Sequence, residues 1–219
     1  MNKTRLFSPF CITLVVLFVM RAVYTVAKGF LVSLIDRLAP GHSSAFIVGS
    51  ANIEFVIFTV LVLVCFIALG TISTGRQRAA LWVIAAPHAV TVLSRLVLSY
   101  LFTRSLLLSA ATLAVCAVIS FIGYAMLANT ARDLRAIGWL CAVFTALSFG
   151  CSAFSSLSAQ LMDGSAATLW FVFFTRSAQI SSALGILANV MQALCMLLML
   201  FTAQKDARDA VPENTDAQK

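Results

Sequence analysis

Residues 105–131, SLLLSAATLAVCAVISFIGYAMLANTA, run for 27 positions without an Asp, Glu, Lys or Arg. About 20 predominantly apolar residues suffice for a helix to cross a hydrocarbon core roughly 30 Å thick, so this one run already reads as a membrane span. Runs of the same kind occupy 55–75, 136–162 and 177–204. None of them has the charged stripe that lets a soluble helix face water.

The rest of the chain agrees. Of its 219 residues 61% are hydrophobic and 11% charged, with mean hydropathy +1.00. Soluble domains carry roughly a quarter charged residues, and so few charges could not cover a water-exposed surface. The reading is an all-α polytopic membrane helix bundle with six transmembrane helices near 8–28, 45–69, 79–102, 105–128, 136–160 and 179–203. Residues 1–204 form one transmembrane domain, and 205–219 a polar, disordered tail. Breakers punctuate the connections at Pro40-Gly41, Gly70, Gly75 and Asp163-Gly164. Lys3 and Arg5 followed by an apolar stretch imitate a signal peptide. The apolar character continues past Arg21 to Ile35, however, so the segment reads as an uncleaved first helix.

Net charge is +7, with basic residues singly or in pairs at the ends of apolar runs. That pattern marks topology determinants rather than a nucleic-acid surface. With the amino terminus inside, inner segments hold nine basic residues: Lys3, Arg5, Arg76, Arg78, Arg132, Arg135, Lys205, Arg208 and Lys219. Outer segments hold four: Lys28, Arg37, Arg104 and Arg176. The excess favours N-in and C-in, in a cell membrane (the cytoplasmic membrane in a prokaryote). Residues 29–39 either extend the first helix or lie flat at the outer surface. The segment 165–178, with Trp170 and three phenylalanines, is too short to span before Arg176 and is expected to be interfacial or re-entrant.

Three charged side chains fall inside spans: Arg21, Glu54 and Arg95. In the second span sixteen Leu, Ile, Val and Phe residues each favour insertion by about 0.3–0.6 kcal/mol, outweighing about 3 kcal/mol against Glu54. At about 1.5 Å per residue all three lie between the bilayer centre and the outer surface. Glu54 is therefore expected to pair with Arg21, Arg95 or both, because a lone buried charge is costly. On the third span His88, Thr91, Arg95 and Ser99 form one helical stripe, next to Pro87, which frees a backbone carbonyl. On the first, Arg21, Tyr24, Thr25 and Lys28 share a face. The later spans carry small and amide residues at four-residue spacing: Ser148, Ser152 and Ser156 on the fifth, and Ser181, Gly185, Asn189 and Ala193, beside Gln192, on the sixth. Such faces let helices approach closely, within the chain or against a membrane partner.

Intramembrane charge is by default a functional-site hypothesis. The candidate substrate-binding residues are Arg21, Glu54, His88, Arg95, Arg176 and Asn189, in an outward-facing, net-positive cavity suited to an anionic or zwitterionic solute. The other reading makes the same charges a structural ion-pair set in a non-transporting component: an assembly partner, a sensor module or an immunity-type protein. No enzyme is expected. Gly150-Cys151-Ser152 lacks the second glycine of a nucleophilic serine motif, and no paired carboxylates occur within the spans. No cofactor or metal is expected either, since His42, the one other histidine, lies in a loop. The six cysteines sit within apolar runs without a Cys-x-x-Cys pair and read as small hydrophobes. The expected partners are the lipid bilayer, a small solute and a membrane protein engaged through the small-residue faces; nucleic acid is excluded.

Overall fold

The computed structural model describes residues 3–38, 50, 54–96, 106–161 and 167–209. These are almost wholly helical, with no strand among them. In chain order they form α1 (Lys3–Leu38), a π-helical turn (Val56–Val60) leading into α2 (Leu61–Ile72), α3 (Gly75–Leu96) and α4 (Leu106–Ala128). A 3-10 turn (Arg132–Leu134) then leads into α5 (Arg135–Gln160), followed by α6 (Ala167–Asp209). Five helices are long and apolar enough to cross a membrane, and Val56–Ile72 is a shorter apolar sixth.

Each helix packs against its neighbours in sequence, and α6 returns to pack on α1. Among the described residues no long helix brings its backbone close to one across the middle, so the six helices form a closed ring whose interior is filled by side chains. Neighbours run antiparallel, as the side-chain pairs require: Phe18 meets Phe66 and Tyr24 meets Phe58 between α1 and the second helix. Phe66 stacks on His88 between α2 and α3, and Phe121 meets Trp139 between α4 and α5. A cavity of about 330 Å³ lined by Thr74, Gln77, Asn129, Thr130, Met199 and Thr202 puts the α2–α3 turn, the α4–α5 turn and the end of α6 at one end, called here the near end. Lys28, Glu54 and Gln179 meet at the far end.

The turns are tight because glycine and small residues sit where the chain needs them. Gly75 opens α3 at φ +57°, a left-handed conformation that glycine adopts without the clash an L side chain meets. Gly138, on the first turn of α5, lies against the end of α4. A Cβ there would come within 2.6 Å of Ala128 Cβ and 2.7 Å of Ala128 Cα.

The ring is apolar outside as well as inside. Val16, Val19, Val23 and Val26 on α1, Val115, Val118 and Ile122 on α4, and Leu187, Val190 and Leu194 on α6 are all exposed. In a span this is the surface offered to lipid, and water would oppose it. The apolar helices suit a multi-pass membrane protein in contact with a bilayer.

Two expectations need correction here. Residues 167–178 are not a separate interfacial or re-entrant segment but the opening turns of α6, continuous over 43 residues to Asp209. The run has no helix breaker between Trp170 and Ser182, so hydrogen bonding propagates through Arg176. The polar tail is likewise helical as far as Asp209; 210–219 lie outside the described residues, as do Pro40-Gly41 and Asp163-Gly164. Of the two readings for 29–39, the helical extension holds to Leu38. At 36 and 43 residues, α1 and α6 reach about 54 and 65 Å, well beyond a hydrocarbon core.

Candidate functional site

The polar residues of the ring gather around a central cavity of about 180 Å³. Arg21 reaches it from α1, His88 from α3, and Ser120 and Tyr124 from α4; Thr145, Ser148 and Ser152 come from α5, Gly185, Asn189 and Gln192 from α6. On α1, α4 and α6 these groups lie opposite the exposed apolar residues named above, on the other side of a 3.6-residue period.

Most of the neutral polar groups are held by one another. Gln192 Nε2 donates to Thr145 Oγ1 at 3.1 Å. The Ser152 and Ser181 hydroxyls lie 2.6 Å apart, and Ser181 Oγ donates to Ser148 O at 3.1 Å. The small-residue faces of the fifth and sixth spans thus meet each other within the chain, with Gly185 close to Ser148. On α3, Thr91 Oγ1 donates to Pro87 O at 2.8 Å, and the His88 ring lies 5.8 Å from that of Phe66, 19° from parallel.

Tyr124 is 1% exposed, and its hydroxyl lies beside the Gln192 amide of α6. Arg21 has no hydrogen bond from its side chain and no ion pair among the described residues, the one salt bridge there being Lys28–Glu54. Glu54 lies within electrostatic range of Arg21 but outside contact. No carboxylate lines the cavity. A half-buried guanidinium among neutral dipoles gives such a chamber a positive potential.

The expected Glu54 pairing is therefore wrong in its partner. Glu54 Oε2 accepts from Lys28 Nζ at 2.8 Å, with side chains 29% and 23% exposed. Lys28 lies two turns beyond Arg21 on the same face of α1, and its flexible stem reaches the level at which Glu54 enters the second helix. The π turn Val56–Val60 follows directly and re-aims the residues before it; apolar periodicity carries no mark of such a turn. Arg95 is exposed, its guanidinium 4.7 Å from the centre of the Phe55 ring, so it flanks the second helix rather than joining Arg21. Arg176 is exposed on α6 and lines neither this cavity nor the one around Lys28. Ser99 lies outside the described residues.

Of the six candidates, then, Arg21, His88 and Asn189 share the central cavity, Glu54 belongs to a second cavity, and Arg95 and Arg176 stand apart. Ser120, Tyr124 and Thr145 were not among the sequence candidates. Each is a single polar residue in an apolar run, and the packing of α4 on α5 turns the three to one cavity. Comparison with protein-family models, curated proteins and solved structures gives no match.

Proposed function

We propose that this multi-pass membrane protein binds a small anionic solute at the centre of its helix ring, as a transporter or as the solute-binding subunit of one. The observation that carries this reading is Arg21: a cation at membrane depth, facing a cavity, with no anion in contact. A charge so placed is costly, and a bound anion would offset that cost. Tyr124 supplies a buried hydroxyl beside Gln192, and Asn189 and His88 stand on the opposite walls. The space equals that of about six waters, which suits a solute the size of a short carboxylate or an inorganic oxyanion. The absence of a carboxylate among the lining residues favours a plain anion over a zwitterion. In this reading the near end faces the cytoplasm, as the basic-residue count favours.

The non-transporting reading is favoured at one place, Glu54, whose carboxylate is already engaged by Lys28 and ties α1 to the second helix. It does not account for Arg21.

The test is a titration of purified protein with formate, acetate, lactate, phosphate and sulfate, followed by thermal stabilisation and calorimetry. At least one anion should raise the unfolding temperature of the wild type, as ligand binding to the folded state requires. Arg21→Gln should weaken it by about 10- to 150-fold, the equivalent of about 1.5–3 kcal/mol for a hydrogen bond to a charged group. Tyr124→Phe, which removes one oxygen and preserves packing, should weaken it by about 3- to 10-fold. If no anion stabilises the wild type, or Arg21→Gln binds as tightly, the reading fails.

A further inference from the structure

A second, larger cavity of about 730 Å³ lies at the far end between α1 and α6, the two helices whose contact closes the ring. Its walls are Thr25, Lys28, Gly29 and Val32 from α1, with Phe174, Ala178, Gln179 and Ser182 from α6, and Glu54 stands opposite Lys28. The two cavities are stacked on one seam. On α1 the central cavity has Arg21 and the far cavity Thr25 and Lys28, at offsets 0, 4 and 7 along one face. On α6 the far cavity has Ser182 and the central cavity Gly185 and Asn189, at offsets 0, 3 and 7. The step between them is about 6 Å along α1 and about 4.5 Å along α6. The residues flanking that step, Thr25 and Ser182, are short and polar.

We propose that the far cavity is the access vestibule of the central site, and that Lys28 is its first anion subsite, passing the solute to Arg21 along the α1–α6 seam. This rests on the anion-binding reading above and adds its route. Lys28 and Arg21 are two turns apart on one face, so an anion moving inward leaves one cation for the next. Glu54 holds the ammonium at the mouth when no solute is present. With side chains 23% and 29% exposed, the pair remains open to exchange with an incoming anion. Arrangements of this kind act mainly on association rate.

The route can be probed with or without an identified solute. In a Cys151→Ala background the other five native thiols are buried. Gly185→Cys then places a thiol in the central cavity; a Cβ there makes only an ordinary 3.4 Å contact with Ser148 Oγ. The probe is sulfonatoethyl methanethiosulfonate, a small anionic thiol reagent, applied to protein in detergent. Gly29→Trp should plug the vestibule, since a Cβ at Gly29 meets nothing within 4 Å, and Ala178→Trp plugs it from the other wall. We expect Gly185→Cys to be labelled, either tryptophan to slow labelling at least tenfold, and Gly29→Ala to leave it unchanged. Lys28→Gln should slow the anionic reagent but not an uncharged methanethiosulfonate. Labelling that is absent from Gly185→Cys, or unaffected by both tryptophans, overturns the route. If the anion titration is blank while the tryptophans still block labelling, the solute assignment fails and the route stands. If an anion binds with an association rate indifferent to the tryptophans, the route fails and the site stands.

Discussion

Two glycines on α5 allow helix contact to be separated from helix propensity. At Gly138 a Cβ would lie 2.6 Å from Ala128 Cβ, 2.7 Å from Ala128 Cα and 3.0 Å from Ala128 N. Carbon atoms rest about 3.5–4.0 Å apart, so the overlap is about 1 Å. The atoms met are chiefly backbone, which cannot rotate away; the α4–α5 hairpin must open instead. Overpacking of this kind costs about 1–3 kcal/mol. At Gly150, farther along the same helix, a Cβ meets nothing within 4 Å. Alanine gains about 0.5–1 kcal/mol over glycine in a helix interior, and that gain is common to both sites. Gly150→Ala should therefore stabilise the protein by the propensity term alone, whereas Gly138→Ala carries the same gain minus the overlap. The difference between the variants isolates the contact at about 1–3 kcal/mol. For a chain of this size that corresponds to a separation of about 2–12 °C in unfolding temperature. Circular dichroism melts in one detergent, at one protein concentration, provide the measurement. Equal shifts for the two variants would refute the close approach of α4 and α5 at Gly138, and with it the geometry of that turn.

Other perturbations test the polar contacts and the orientation. A double-mutant cycle with Lys28→Gln and Glu54→Gln should give a coupling of about 1–2 kcal/mol, between the values for exposed and buried pairs. It should shrink in high salt; additive single variants would remove the pair from the structure. Gln192→Leu should destabilise by about 1–3 kcal/mol by stranding its partner, and adding Thr145→Val should recover part of that loss; a double variant worse than the sum of the singles would show that the 3.1 Å contact is not made. Reporter fusions after residue 130 should score as cytoplasmic and fusions after residue 104 as external, following the count of basic residues, and the opposite pattern would invert the bundle.

The bundle of long apolar helices was legible without coordinates because hydrophobic run length is a local property, and runs such as 105–131 or 177–204 would satisfy their backbones in lipid only as helices. Helical spacing singled out Arg21, His88 and Asn189, which share one cavity, but it equally singled out Arg95, which is exposed, so spacing alone did not separate inward from outward polar residues. Partnership was not legible. Glu54 bonds Lys28 because the π turn and the depth of α1 bring those two to one level, and neither feature has a periodicity to read. The opening turns of α6 looked too short to span because a single charge, Arg176, divides them from the long run, yet backbone hydrogen bonding continues through an exposed arginine. Ser120, Tyr124 and Thr145 came together through the packing of α4 on α5, and Arg21 joined them in one cavity only when α6 closed on α1. Ring closure is a sum of contacts between residues far apart in sequence, and it decides which polar side chains end up facing one cavity.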